Sequence, residues 1–271
     1  MSPVDSPAPP VACSGRPAVC VLGSGSRGNA VYVSDGVTAI LVDAGFSARE
    51  IDRRLRSRDL DPAGLNAILL THEHTDHIKG VERLVRRHRL PVYLTGGTCR
   101  AVDPDKVHPG ALIPFACGRE FRIGTLTVRP FCISHDAGEP AGFTITANGI
   151  RIGIATDLGQ STALVRDHLQ GCRVLVLESN HDPDMLMNGP YPWFLKQRIR
   201  GREGHLSNAD SCLLLSEVVH DGLEHVILAH LSETNNTPQK ALAGAEQVLA
   251  GSGVRLTAAA QGEATPVLPL R

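Results

Sequence analysis

The apolar positions of this 271-residue chain fall in short runs broken by Gly, Ser and Asp, not in long amphipathic stretches. From Ala18 onward, AVCVLG, AVYVSDG and VTAILVDAG are three β-rich runs in close succession, and their punctuation predicts a meander of antiparallel strands. The polar segment SAREIDRRLRSR predicts a helix, and LNAILLTH (65–72) a strand whose continuous apolar run implies burial. HIKGVERLVRRHR (77–89) has apolar residues at 78, 81, 84 and 85, the spacing of one helix, and PVYLT after it reads as a strand. Between about Ile113 and Asp157 the pattern alternates with period two, and Asn148-Gly149 marks a hairpin. Next come a helix near 161–169, the strand RVLVLES, a helix near 207–219, the strand HVILAHLS, a helix near 238–249 and the strand VRLTAA. In both halves strands end in a polar residue and give way to a helix. The pattern predicts an α+β fold in which two sheets pack face to face with helices on the outer faces, an αββα sandwich.

Composition bounds the function. With 42% apolar residues the chain can bury a core as one large domain, 18–271. Residues 1–17 hold five of the 18 prolines, with Ser and Ala between them, and read as a disordered lead-in. Lys+Arg number 27 against 28 Asp+Glu, so there is no global basic excess for coating nucleic acid or an acidic membrane, and an anionic substrate must be held locally. No apolar run approaches the roughly 18 residues of a membrane span, and the N-terminus has neither a basic start nor an apolar signal core; the expectation is a soluble, cytoplasmic protein with no membrane partner. The seven cysteines are scattered without any CxxC, which argues against a thiolate zinc cluster and reads as core filling. Any metal falls to carboxylates and the 12 histidines.

Those histidines are not evenly spread. Thr71-His72-Glu73-His74-Thr75-Asp76-His77 follows the LNAILL strand directly and is not HExxH, because Asp76 stands four residues after His72. On a loop leaving a strand end, His72 and His74 can face one ion while Asp76 and His77 face a second. Imidazole and carboxylate suit zinc, with manganese or iron as weaker matches. Four ligands cannot complete two ions. His135 and Asp136, Asp157, and His230 each stand at the exit of another apolar run, where open sheets place their sites. Any one of them alone would read as a turn residue or helix cap; with the cluster they supply the missing ligands.

The HxHxDH of residues 72–77, preceded by Asp43 in LVDAG and followed by His135, Asp157 and His230, resembles the metallo-β-lactamase superfamily over nearly the whole chain from about Val19. The resemblance implies the αββα fold and two divalent ions, zinc foremost and manganese second. His72, His74 and His135 would hold the first ion, and Asp76, His77 and His230 the second. Asp157 would bridge them, and Asp43 would orient the loop. The flavodiiron branch has Glu where this chain has His74, which favours a hydrolase.

The C-terminal third narrows the branch. Glu178 at a strand end, His205 before a helix capped by Ser207 or Asn208, and the HLS of 230–232 resemble the nuclease branch of that superfamily. By that resemblance the catalytic residues would be Glu178, orienting His205 as general acid, together with Asp76. LGSGSRGNA (22–30), SHDA (134–137), SNHD (179–182), GHLSN (204–208) and HLSETNN (230–236) resemble most closely the small bacterial YycJ or WalJ subfamily, which implies 5′-to-3′ exonuclease activity on DNA. The stretch from Asp157 to His230 leaves no room for an inserted β-CASP domain.

Candidate substrate contacts are Ser24 and Asn29 in the glycine-rich turn, His181, and Arg198 and Arg200, which with Lys196 and Arg202 precede His205. A tight structural turn, a buried hydrogen bond and a solvated charged face are the respective plain alternatives. The leading reading is a dinuclear phosphodiester hydrolase acting on nucleic acid, DNA before RNA, through a hydroxide shared by two ions roughly 3.5–4 Å apart. The alternative is an acyl or thioester hydrolase of the glyoxalase II type, which would not need Glu178 and His205. A metal-bound regulator without turnover is a third.

Overall fold

The structure, a computed structural model, describes residues 17–102 and 109–270; the proline-rich lead-in lies outside the described residues apart from Pro17. The strands Ala18–Gly23 (β1), Ala30–Ser34 (β2), Ala39–Val42 (β3) and Ala67–Leu69 (β4) are buried at every position, as continuous apolar runs must be when both sheet faces are covered. With Val92–Thr95 (β5), Leu112–Phe115 (β6) and, at the far end of the chain, Leu268–Pro269, they form one seven-stranded sheet. The second sheet contains Phe121–Ile123 (β7), Leu126–Cys132 (β8), Ala141–Ala147 (β9), Ile150–Ala155 (β10), Val174–Glu178 (β11), His225–Ala229 (β12) and Arg255–Ala258 (β13), in reverse order across the sheet; Leu268–Pro269 is β14. Both sheets are mixed. β1 to β3 pair antiparallel and β3 to β6 parallel, while β7 to β10 pair antiparallel and β10 to β13 parallel. The β9–β10 turn places Asn148 and Gly149 at φ 50° and 81°, the left-handed pair that a two-residue hairpin needs.

Alternate strand residues point to opposite faces, and this divides the apolar side chains into three layers. Val19, Val21, Ile40 and Val42 meet Phe143, Ile152, Ile154 and Val176 between the sheets. Cys20, Leu22, Leu41 and Ile68 pack outward against Ile51 and Leu55 of helix Ala48–Arg56 (α1) and Leu84 of a helix at Val81–His88. Leu175, Leu177 and Leu228 pack outward against Val165, Leu214 and Ala241, each on a different helix. This is the αββα sandwich that the strand pattern predicts. Among the described residues no helix is long and apolar enough to cross a membrane.

The structure departs from the sequence pattern at 77–89. That segment is two helices, Thr75–Ile78 (α2) and Val81–His88 (α3). Gly80 separates them: its N–H donates to the Ala44 carbonyl at 2.8 Å, and a Cβ there would meet the Phe46 carbonyl oxygen at 2.3 Å. Gly96–Ala101 (α4) precedes the expected helix at Ala163–Leu169 (α5), and two further helices, Pro183–Asn188 (α6) and Trp193–Arg200 (α7), fill the segment after β11. Asn208–Val218 (α8) and Pro238–Val248 (α9) lie where expected. Of the cysteines, Cys20 and Cys172 are buried, but Cys132 is exposed and fills no core.

Candidate metal centre

β4 ends at Leu69, and the chain that leaves it is held by two neighbouring loops. Asn29 N donates to the Asp76 carbonyl at 2.8 Å and Ala44 N to the His77 carbonyl at 2.7 Å, pinning α2 against the loops after β1 and β3. Gly45 makes that approach possible, since a Cβ there would stand 1.6 Å from the Asp76 carbonyl oxygen. The pinned turn buries His72 and His77 completely and leaves His74 and Asp76 partly open.

The opposite wall comes from the second sheet. His135 follows β8, Asp157 follows β10 and His230 follows β12. Asp157 and His230 adopt φ 58° and 55°, and Asp43 after β3 adopts φ 62°. A left-handed residue with a side chain is uncommon, and three of the six among the described residues converge on one spot, the distribution expected where a fold stores local strain at a functional site.

Five imidazoles meet there, and each commits one ring N–H to a protein acceptor. His77 Nδ1 donates to Asp43 Oδ2 at 2.8 Å, and His72 Nδ1 to Thr71 Oγ1 at 2.9 Å. His135 Nδ1 donates to the Gly204 carbonyl at 3.1 Å, His230 Nδ1 to Glu178 Oε1 at 3.1 Å and His74 Nε2 to the Asp136 carbonyl at 3.2 Å. Thr71 Oγ1 in turn donates to Asp43 Oδ2 at 2.8 Å, so one carboxylate orients two rings. This is how proteins present a chosen nitrogen to a metal. The remaining nitrogens face one another: His74 Nδ1 and His135 Nε2 are 3.3 Å apart, and Asp76 Oδ2 lies 3.5 Å from His77 Nε2 and 3.7 Å from His230 Nε2. Asp157 addresses both groups, at 4.0 Å from His135 Nε2 and 3.4 Å from His77 Nε2. His72 Nε2, His230 Nε2 and Asp157 Oδ2 are buried without a hydrogen-bond partner. Such atoms in a cluster of nitrogen and oxygen donors fit divalent cations. The sets His72/His74/His135 and Asp76/His77/His230 each gather within 4.8 Å.

Without a cation the charges rearrange. Burial pushes His77 and His230 toward neutrality, but Asp157 outweighs it, helped by Asp43 at His77 and by Asp76 and Glu178 at His230. His77 is driven well above its ordinary range and His230 up to about 10. His72 and His135 go the other way, chiefly through burial, and stay neutral. Burial would also raise Asp157, but His230 and His77 hold it well below the usual carboxylate range. The centre therefore demands positive charge, as protons or as metal.

Beside it, Glu178 is fully buried. Its Oε1 accepts from His205 Nδ1 at 2.8 Å, and its Oε2 from the N–H groups of Leu158 and Leu206 at 2.9 and 3.1 Å. Burial alone would raise this carboxyl; His205 and the hydrogen bonds hold it down at about 2. His205 itself lines a cavity of about 270 Å³ with His74, Asp76, His135, Asp157 and His230.

A β-lactamase superfamily domain matches residues 38–231. The chain belongs to the β-lactamase superfamily. It is 37% identical over 239 residues to Exodeoxyribonuclease YycJ of Bacillus anthracis, covering 86% of this chain and 89% of that protein. It is 33% identical to Exodeoxyribonuclease WalJ of Streptococcus pneumoniae serotype 2, covering 82% and 84%. Among solved structures, the metallo-β-lactamase fold protein YhfI of Bacillus subtilis superposes with a TM-score of 0.72 at 17% identity, covering 92% of this chain and 98% of that one, a likeness of fold.

Within this superfamily domain, the seven expected ligands and the Glu178–His205 pair come together, whereas the expected substrate contacts separate. Ser24 and Asn29 are buried and engaged: Ser24 Oγ donates to Asn29 Oδ1 at 2.8 Å and accepts from His230 N at 2.8 Å, and Asn29 Nδ2 reaches Asp76 Oδ2 at 3.3 Å. With the glycine-rich turn packed under the centre, both brace metal-site residues and present no free face to a substrate. His181 is buried away from the cavity wall, and burial holds its imidazole down at about 4. Arg198 does line the cavity, its Nε donating to Asp136 Oδ2 at 2.6 Å, while Arg200 stands off it against Met187 Sδ at 3.3 Å. Sequence reasoning missed Thr71, which orients His72, and the Gly204 and Asp136 carbonyls. The threonine between strand end and first histidine was a visible signal; backbone carbonyls carry none.

Proposed function

We propose that this chain is a two-metal phosphodiesterase that degrades DNA from the 5′ end. The observation that carries the reading is His205 on the cavity wall beside the candidate metal ligands, held from behind by the buried Glu178. A buried carboxylate that fixes Nδ1–H leaves His205 Nε2 to carry the mobile proton. The two relatives named as exodeoxyribonucleases, aligned over most of their length, support the same choice.

Divalent ions, zinc or manganese, held by His72, His74, His135, Asp157, Asp76, His77 and His230 would supply Lewis acidity to the phosphate and a water of lowered pKa. His205 gives its proton to the departing 3′ oxygen, and Glu178 stabilises the imidazolium that precedes that step. Asp76 serves as a ligand steadied by Asn29, and Arg198 stands where a phosphate enters.

The test offers 5′- and 3′-labelled single- and double-stranded DNA and RNA to the protein with zinc, with manganese and with chelator. Mononucleotides should leave the 5′ end of DNA only when metal is present, and His74→Ala should be inactive. His205→Ala should lose about 100-fold or more in kcat with its metal content intact. Full turnover in that variant would refute the mechanism and turn attention to acyl and thioester substrates, and equal cleavage of RNA would refute the preference for DNA.

A further inference from the structure

Large exposed aromatics are rare on this protein. Among the described residues Trp193 and Phe194, 57% and 72% exposed, are consecutive at the start of α7. Single apolar residues at a surface need no explanation, but these two adjoin the metal centre. The same helix supplies Leu195, Arg198 and Ile199 to the cavity wall, with Tyr191 from the turn before it. Phe194 is one turn from Arg198, so those two share a side of α7, and Tyr191 stands just before the N-cap Pro192. The segment itself is basic: between residues 183 and 204 stand Lys196, Arg198, Arg200 and Arg202 against Asp184 and Glu203, with Arg198 paired to Asp136. The segment is also anchored. Lys196 is buried, and its Nζ donates to the Met187 carbonyl at 2.7 Å, tying α7 to α6.

We infer that this ridge is a stacking platform for nucleobases. Tyr191, Trp193 and Phe194 receive unpaired bases of single-stranded DNA next to the scissile end, while Arg198 and Arg200 meet its phosphates. Every base offers a π-face, so aromatic residues flanked by guanidinium groups bind a strand without reading its sequence. Aromatics with arginine also suit a protein partner, but this ridge opens into the cavity that His205 and Arg198 line beside the candidate metal ligands, which favours a strand whose end reaches that cavity. The inference rests on the nuclease reading for what occupies that cavity.

Trp193 is the sole tryptophan of the chain, so selectively excited tryptophan fluorescence reports on this surface alone. The metal-loaded protein is titrated with a nuclease-resistant phosphorothioate dT oligonucleotide and with an abasic oligonucleotide of equal length and charge. The dT strand should quench Trp193 and the abasic strand should not. By fluorescence anisotropy of labelled strands, Trp193→Ala combined with Phe194→Ala should weaken dT binding about 10- to 100-fold and abasic binding by no more than about twofold. Trp193→Phe, which keeps a ring, should restore most of the loss and exclude misfolding. Equal quenching by both strands, no quenching by either, or unchanged dT affinity in the double variant overturns the platform. Failure of the nuclease reading looks different: no strand is cleaved, yet dT still quenches Trp193.

Discussion

A histidine ligates through whichever nitrogen its other nitrogen leaves free, so a centre of five imidazoles has five tautomers to fix. Asp43 fixes two of them, His77 directly and His72 through Thr71. Asp43→Asn offers one oxygen where Thr71 N, Thr71 Oγ1 and His77 Nδ1 now donate, so His77 can turn its proton toward the metal. Metal affinity should fall about 10- to 100-fold, read by competition with a chromogenic chelator, and affinity equal to the parent would show that Asp43 orients nothing. That the candidate ligands would come together was legible in the sequence, because their residue types are rare and their strand-end positions regular. The bracing roles of Ser24 and Asn29 were not, because a hydroxyl or amide in a glycine-rich loop looks the same whether it faces a phosphate or the underside of Asp76. Only packing decides, and here it buries both.

At the scale of elements, the strands other than β14 and the helices α1, α5, α8 and α9 followed from pattern, since burial on both faces leaves continuous apolar runs and burial on one face leaves period two. The division of 77–89 did not. Its apolar spacing suits one helix, and the break comes from Gly80 lying against the loop after β3, a contact distant in sequence. α6 and α7 escaped for a related reason: they are short, and α7 turns Trp193 and Phe194 to solvent. The same loop that sets the break sets α2, and Gly45 is its closest point. Gly45→Ala would drive a methyl into the Asp76 carbonyl. It should displace α2 with Asp76 and His77, destabilise the protein by roughly 1–3 kcal/mol or more, and weaken the ion held by Asp76, His77 and His230 before the one held by His72, His74 and His135. Metal titration of the variant should resolve one normal site and one weakened site; two normal sites would mean that α2 can move aside without cost.

Across the whole molecule the candidate ligands divide between the sheets. His72, His74, Asp76 and His77 hang from the first, and His135, Asp157 and His230 from the second. Ions held between them would therefore cross-link the sandwich at one edge, and their removal should be felt by the fold and not only by catalysis. A ligand at about 1,000 times its Kd stabilises the folded state by about 4 kcal/mol, which for a domain of this size is roughly 10 °C in Tm. Chelation should lower Tm by that order. The size of the drop should depend on pH, with a definite sign. In the metal-free protein His77 and His230 carry raised pKa values, so the stability their protons contribute is complete below the unfolded value of 6.5 and is lost as pH rises toward about 10. Metal must displace those protons, so its affinity rises over the same interval. Both effects widen the gap between metal-loaded and chelated Tm from pH 6.5 upward, and protons close it on the acid side. Melts with and without chelator at pH 6, 7.5 and 9 check this directly, and a gap that stays constant or shrinks with rising pH would mean that protons and metal do not share this site.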